Sequence, residues 1–451
     1  MQSVKHVVEG HRECFVRSAC LILTLISMTI SSVNAVAAGQ HKLLQVEGQA
    51  EQSLPVIDAI AQLAKLTASD GAIGDQFGRS VSISGDVVVA GAPGASVSGN
   101  ATQGAAYVFV KPPNGWQDTT QTAKLTASDG MFGDALGLSV TVEGDVIIAG
   151  APAAKLGRGA AYVFVKPAGG WKDMTETAEL VASDGAEGDS FASSISLSRG
   201  TVVAGAPGTT VGRNLHQGSA YVFRRPGSGW ASAGSFPLRE AAKLIASDGA
   251  AESYFGSTSI SGDTIGVGAA AANQGEGEAY VYVKPASGWT DMTETAQLKP
   301  SDASRALGSS IAVNGETVAA GAPGLSIDGK VYLFVKPADG WSNTTEIAQL
   351  QSQANNNWDF GSAVAISSRA VVVGAATGNG EHSGTGEGFV FVEPGSGWQT
   401  TSHYAYRFFA LDGERSEEFG LSLAVSAQTA VVGAPFAFRD QRGAAYVFAR
   451  K

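Results

Sequence analysis

Seven times along the 451-residue chain, a Phe-Gly-like pair is followed by a short apolar segment and then a Gly-Ala-Pro-like triplet. The copies are Phe77-Gly78 with Gly91-Ala92-Pro93, Leu136-Gly137 with Gly150-Ala151-Pro152, Phe191-Ala192 with Gly205-Ala206-Pro207, and Phe255-Gly256 with Gly268-Ala269-Ala270. Then come Leu307-Gly308 with Gly321-Ala322-Pro323, Phe360-Gly361 with Gly374-Ala375-Ala376, and Phe419-Gly420 with Gly433-Ala434-Pro435. In six copies the aromatic or Leu position stands 14 residues before the first Gly of the triplet; the fourth is one residue shorter. A fixed interval inside repeats of variable length predicts a rigid hairpin joined by adjustable loops.

One unit shows how such a hairpin is written. Val81-Ser82-Ile83 alternates apolar and polar, as a half-buried strand does, and Ser84-Gly85-Asp86 is a tight turn. Val87-Val88-Val89-Ala90 is a continuous apolar run suited to burial on both faces, and the segment from Gly104 through Tyr107 to Val110 reads as a third strand. Lys111-Pro112-Pro113-Asn114-Gly115 ends it, because Pro cannot continue a ladder and Asn-Gly turns the chain. Ala123-Lys124-Leu125-Thr126 begins a fourth, outer strand. Four antiparallel strands per unit of this size predict a propeller blade, stable only when stacked in a ring.

The ends predict how the ring closes. The last unit stops after its third strand at Lys451, while Ala64-Lys65-Leu66-Thr67-Ala68-Ser69 precedes the first Phe-Gly pair as an extra outer strand. Pairing the two gives an all-β, seven-bladed β-propeller of four-stranded antiparallel blades, closed by the N-terminal outer strand, with no free sheet edge. The predicted organisation is a signal peptide over residues 1–37, a linker over 38–60 and the propeller over 61–451.

These pairs and triplets resemble the FG-GAP repeat family. The variant with Lys-Leu-Thr-Ala-Ser-Asp-Gly before Phe-Gly and Gly-Ala-Ala-Tyr-Val-Phe after Gly-Ala-Pro is similar to its bacterial branch, and the resemblance covers residues 61–451. It implies an integrin-α-like propeller of a kind that serves in adhesion, in ligand binding, or as an accessory module of secreted enzymes. It also implies calcium loops of the form Asp-x-Asp-x-Asp-Gly between the two motifs. Here that connection is Ser84-Gly85-Asp86, Glu143-Gly144-Asp145 or Ser198-Arg199-Gly200, with too few oxygens for a hard cation that takes 6–8 ligands. No cofactor is therefore expected, and calcium only outside that loop.

Export is predicted from the first residues. Lys5, Arg12 and Arg17 precede the apolar run from Ala19 to Ile26, with small residues at Ala35, Ala37 and Ala38. Both cysteines, Cys14 and Cys20, fall inside this segment, so the mature chain would carry no disulfide and no thiolate site. The product is expected in a periplasm, at a cell surface or outside the cell, with no stable membrane span after cleavage. The chain's charge of −11 offers no basic stripe for nucleic acid.

Candidate site residues lie in the loop before each inner strand. Asp70 and Asp75, Asp129 and Asp134, and Asp184 and Asp189 recur five apart; Asp248, Asp302 and Asp412 keep the first acid. Such pairs either share a cation or cap a turn through backbone amides. Six tryptophans, Trp116, Trp171, Trp230, Trp289, Trp341 and Trp398, keep one register and read as wedges against neighbouring blades, with sugar stacking as the rival. Trp358 falls outside that register, on the Asp-loop face. The connections between second and third strands, residues 96–103, 209–217 and 377–387, are long and are expected on the same face. His41, His216, His382 and His403 match no metal-ligand spacing, and no nucleophile elbow or phosphate loop occurs. The expectation is a non-enzymatic binding or adhesion module for a protein or glycan; the alternative is a lectin or a polysaccharide-acting enzyme.

Overall fold

The computed structural model describes residues 60–232, 237–324, 328–353, 359–378, 384–413, 417–437 and 442–450; the signal segment, most of the linker and Trp358 lie outside them. Seven separate sheets succeed one another along the chain as blades 1 to 7; the inner strands of blades 2 to 6 are Ser139–Glu143, Ser194–Ser198, Phe255–Ser261, Ser310–Asn314 and Phe360–Ser367. In blade 1 the inner strand Ser80–Ser84 pairs antiparallel with Val87–Ala92, that with Ala105–Val110, and that with the outer strand Ala123–Thr126. Blade 7 consists of Ser422–Ser426, Thr429–Ala434, Ala444–Arg450 and, as its outer strand, the N-terminal Ile60–Thr67. That last pairing is antiparallel, with Leu66 opposite Ala445 and Ile60 opposite Arg450. The predicted closure is therefore the observed one. Each inner strand packs on the next, and that of blade 7 on that of blade 1, so the ring is complete.

Alternation sends the two faces of a blade to two different interfaces. Val88, Ala90, Tyr107 and Phe109 of blade 1 pack with Val431 and Val447 of blade 7. Val89, Ala106 and Val108 pack instead with Ile147, Tyr162 and Phe164 of blade 2. The Phe of the pair is the keystone: Phe77 meets Tyr107 and Phe109 edge-on at centroid distances of 5.5 and 5.8 Å. The tryptophans Trp116 and Trp171 are buried in these two interfaces as wedges, and Trp230, Trp289 and Trp341 in the three that follow.

The two halves of the sequence motif meet twice. Within a blade the Gly78 amide donates to the Gly91 carbonyl at 2.9 Å. Across the boundary, a Cβ on Gly91 would stand 1.9 Å from the Gly137 carbonyl oxygen of blade 2. The same close approach joins Gly205 to Gly256, Gly268 to Gly308, Gly321 to Gly361, Gly374 to Gly420, and Gly433 back to Gly78. Glycine is needed here for room rather than for flexibility. The short fourth copy is absorbed at this point. Blade 6 skips two residues between Phe360 and Ala363, whereas blade 4 skips one between Phe255 and Ser257.

Inner strands of adjacent blades belong to separate sheets, and serines stitch them together. The hydroxyls of Ser80, Ser139, Ser310 and Ser422 donate to carbonyls of the following blade, at 2.7–2.8 Å. Ser82, Ser259 and Ser261 accept from backbone amides of the following blade at 3.0–3.1 Å. The rim has its own clasp. Thr119–Thr120 pairs parallel to the outer strand of the preceding blade, as do Met174–Thr175, Met292–Thr293 and Thr344–Thr345. Glu176, Glu294 and Glu346 follow these strands and each accept from the backbone amide and hydroxyl of Ser128, Ser247 and Ser301.

Candidate functional site

Strand order brings the loop before each inner strand and the connection between second and third strands to one face, and hydrogen bonds join them. The amides of Gly133, Ala135 and Leu136, before the inner strand of blade 2, donate to Ala101, Thr102 and Gln103 of blade 1. Asn100 Nδ2 reaches the Gly130 carbonyl at 3.1 Å and Gln103 Nε2 the Ala127 carbonyl at 3.3 Å. Asn214 and Gln217 repeat both contacts on Gly249 and Ala246. Residues 96–103 and 209–217, two of the long connections, are thus one construction used twice, each turned by one antiparallel bridge, Val97 to Asn100 and Val211 to Asn214.

The two acids of each Asp loop separate into different roles. Asp75, Asp134 and Asp189 are buried, and their Oδ2 atoms accept from the amides of Ala72, Met131 and Ala186 at 2.7–2.8 Å. They cap their own turns. Ser253 does the same for Ala250 in blade 4, and the buried Glu417 occupies the equivalent place before Phe419. The first acids reach outward to the blade that follows. Asp70 accepts from Tyr107 Oη at 3.0 Å and Lys124 Nζ at 2.6 Å, and Asp184 from Tyr221 at 2.8 Å and Lys243 at 2.5 Å. Asp129 binds Tyr162 and Lys155, Asp302 binds Tyr332 and Lys330, and Asp412 binds Lys65 of the closing strand.

Partial burial alone would raise the pKa of Asp70, Asp129, Asp184 and Asp302. The hydrogen bonds from lysine and tyrosine outweigh it and hold these carboxyls below the usual range. Asp75 and Asp134 go the other way, raised by burial and by the neighbouring Asp70 or Asp129 charge, against the opposing backbone hydrogen bond. Tyr107, Tyr162 and Tyr221 are pushed far above the tyrosine range by burial and by the adjacent carboxylate, so they remain donors. Among the described residues, no group of three or more His, Cys, Asp or Glu side chains is gathered as a metal site.

Among the polar residues of these loops the face also exposes large apolar side chains. Ile73, Met131 and Phe132 stand at the tips of Asp loops, with Ile73 76% and Phe132 75% exposed. Leu156, 78% exposed, sits on the tight loop of blade 2, where Lys155 and Leu156 take left-handed φ of 56° and 64°. Leu215, Tyr254 and Leu411 continue the series on blades 3, 4 and 7. Periodicity gave no warning of these positions, because each lies in a loop without an alternating pattern. His216, which the sequence left isolated, stacks on Tyr254 with ring centroids 5.8 Å apart, and its Nδ1 lies 3.2 Å from Glu252. Trp358 is outside the described residues.

Comparisons with known proteins fit this repeat construction. No curated protein matches the chain. Among solved structures it is similar to Sqt1 of Chaetomium thermophilum, at 14% identity, with 83% of each chain covered and a TM-score of 0.48, a likeness that carries no argument about function. The family model described as FG-GAP repeat matches residues 60–109, 119–164, 174–223, 238–282 and 405–448. Each match runs from an outer strand through the Asp loop and both halves of the glycine contact, or from the rim clasp through the same features. Together the matches cover just over half of the sequence, and the chain belongs to the FG-GAP repeat family.

Proposed function

We propose that this protein is a non-enzymatic, extracellular binding or adhesion module whose partner is a protein docking on the loop-bearing face. The observation that carries the reading is the set of exposed apolar tips: Ile73, Met131, Phe132, Leu156, Leu215, Tyr254 and Leu411 all lie on that face. Scattered apolar residues on a surface need no explanation, but seven gathered on one face of an acidic chain do. Aliphatic tips bury area against another protein; sugar binding relies on flat aromatic planes and hydrogen-bond networks. The Asp pairs act in this reading as supports. They hold the loops against the blades and leave little carboxylate free for a cation, so EDTA is expected to leave the melting temperature unchanged.

Two variants test the assignment. Replacing Met131 and Phe132 by Ser, or Leu156 by Ser, should lower retention on a partner-bearing cell surface at least tenfold while the melting temperature stays within a degree or two. Retention equal to the parent protein's would remove the apolar tips from the interface. Turnover of a polysaccharide in hydrolase or lyase assays would overturn the non-enzymatic reading, and selective binding on a glycan array would favour a lectin.

A further inference from the structure

The opposite face carries the turns between inner and second strands and the segments that leave the third strands. There five of the seven blades pair two charges by a simple rule, and in blade 7 Gln428 stands where the turn's acid would be. The residue after the third strand donates its amide to the turn, as Lys111 does to the Asp86 carbonyl, and its side chain pairs with the turn's acid. Lys111–Asp86, Lys166–Asp145, Lys284–Asp263 and Lys336–Glu316 are 3.4, 2.9, 3.2 and 3.3 Å apart. Blade 6 keeps the pair with signs exchanged, Arg369 against Glu393 at 3.8 Å.

Blade 3 breaks the rule in three places at once. Arg225 takes the lysine position, its amide on the Gly200 carbonyl at 2.8 Å, but the acid has become Gly200. Arg224 stands opposite Thr201, where blade 1 has Val110 opposite Val87. Arg199 replaces the turn glycine and is held at φ 50°, a backbone conformation that side-chain-bearing residues rarely adopt; Gly85, Gly144, Gly262 and Gly315 take φ 57–60° there. None of the three arginines forms an ion pair with a described residue.

The three converge on one cleft of about 550 Å³, lined also by Lys284 and Glu143. Arg225 packs along Gly200 and Arg199 crosses to the Gly262 turn of blade 4, its guanidinium 3.5 Å from where a Cβ would stand. Glu143 is the acid of the wall, and its carboxylate is taken by the backbone amides of Arg199 and Gly200, at 2.8 and 3.3 Å. Three arginines with no ion-pair partner among the described residues, in a chain of net charge −11, are not explained by solubility. Arginine in place of lysine supplies planar forks that grip tetrahedral oxyanions by paired hydrogen bonds.

We infer that this cleft is a binding site for an oxyanion, a phosphate or sulfate group carried by a soluble ligand. It lies on the face away from the proposed protein-binding loops and stands independently of that reading.

The decisive variant restores the common turn: Arg199→Gly with Gly200→Asp recreates the Ser-Gly-Asp sequence that folds at 261–263 in blade 4. The full chain is titrated with inorganic pyrophosphate and with sucrose octasulfate by calorimetry at physiological salt, and melting curves check that each variant folds. Saturable binding of one or both is expected, the stronger ligand naming phosphate or sulfate as the group. The restored turn and Arg225→Ala should each weaken it at least tenfold, while Lys336→Ala on the same face should change it less than twofold. Absence of saturable binding to both probes overturns the site. So does a loss of less than threefold in the restored turn, or an equal loss in Lys336→Ala.

Discussion

At the scale of single residues, the glycines of the repeated motif are governed by backbone contact. A methyl group on Gly91 would overlap the Gly137 carbonyl of the next blade, and neither partner is a side chain that could swing away. Gly91→Ala should therefore cost about 3 kcal/mol or more, read as a fall in the denaturant midpoint, since overpacking against backbone has no cheap relief. Gly115→Ala is the control for added bulk alone: nothing lies within 4 Å of its Cβ position, so only its left-handed φ of 94° is taxed. The third copy already departs from the rule, with Ala192 at φ 69°. Ala192→Gly should stabilise by up to about 1 kcal/mol, the strain relieved exceeding the entropy lost. A midpoint that falls would show that the alanine methyl is gaining contact there.

The Asp loops make a signed prediction about pH. Asp70, Asp129, Asp184 and Asp302 have lowered folded pKa values, so their stabilisation is complete above the ordinary carboxylate range and is lost as pH falls through the lower folded values. Asp75 and Asp134 have raised values, so they cost stability at neutral pH, and acid relieves that cost. The melting temperature should thus hold or rise slightly on going from neutral to about pH 4 and fall below it. Asp70→Asn should lose about 1 kcal/mol at neutral pH, modest because the pair with Lys124 is half in water, and its acid decline should be shallower. A decline of unchanged steepness would locate the acid sensitivity elsewhere.

At the scale of elements, the blade was legible and the joints between blades were not. Alternation at Val81-Ser82-Ile83, the turn at Ser84-Gly85-Asp86 and the apolar run from Val87 marked strands to within two residues of Ser80–Ser84 and Val87–Ala92. A pattern internal to one copy carries no information about which atoms of the next copy it touches. The cross-blade glycine contact, the serine stitches and the parallel rim clasp were therefore invisible, although Asp173-Met174-Thr175-Glu176 and its repeats stood in plain view. The site divided along the same line. The Asp positions were found because they repeat, whereas Phe132, Leu156 and the arginines of blade 3 were missed because each occurs once. The clasp is open to test: Glu176, Glu294 and Glu346 together changed to Gln should raise amide exchange at Ser128, Ser247 and Ser301 about tenfold, with exchange in the third strands unchanged. Equal acceleration in the third strands would mean that the rim and the blade cores open as one.

At the scale of the whole molecule, seven blades share one continuous mechanical circuit. Each interface is built from half of each of two blades, and the seventh depends on pairing Ile60–Thr67 with Ala444–Arg450. Breaking that circuit should be felt throughout. Deleting residues 60–67 leaves Tyr446 and Phe448 of blade 7 without an outer strand and removes Lys65 from Asp412. The deletion should melt cooperatively at least 10 °C lower, with lost protection in blades 1 and 7 first. A permuted chain that carries the same strand after residue 450 should restore the parent value. If the permuted chain melted as low as the deletion, the order of the chain, and not the strand itself, would be what stabilises the ring.

The closing pair also sets a clock. The strand at residues 60–67 is among the first parts of the ring to be synthesised, and its partner at 444–450 is among the last. Until that partner emerges, the first strand has only the short parallel clasp of Thr119–Thr120 to pair with. Six blades can assemble as they appear, yet the ring closes only once residues 444–450 have been made. Any factor that must act on an open chain, whether a chaperone or a transport channel, has until that point in which to do so.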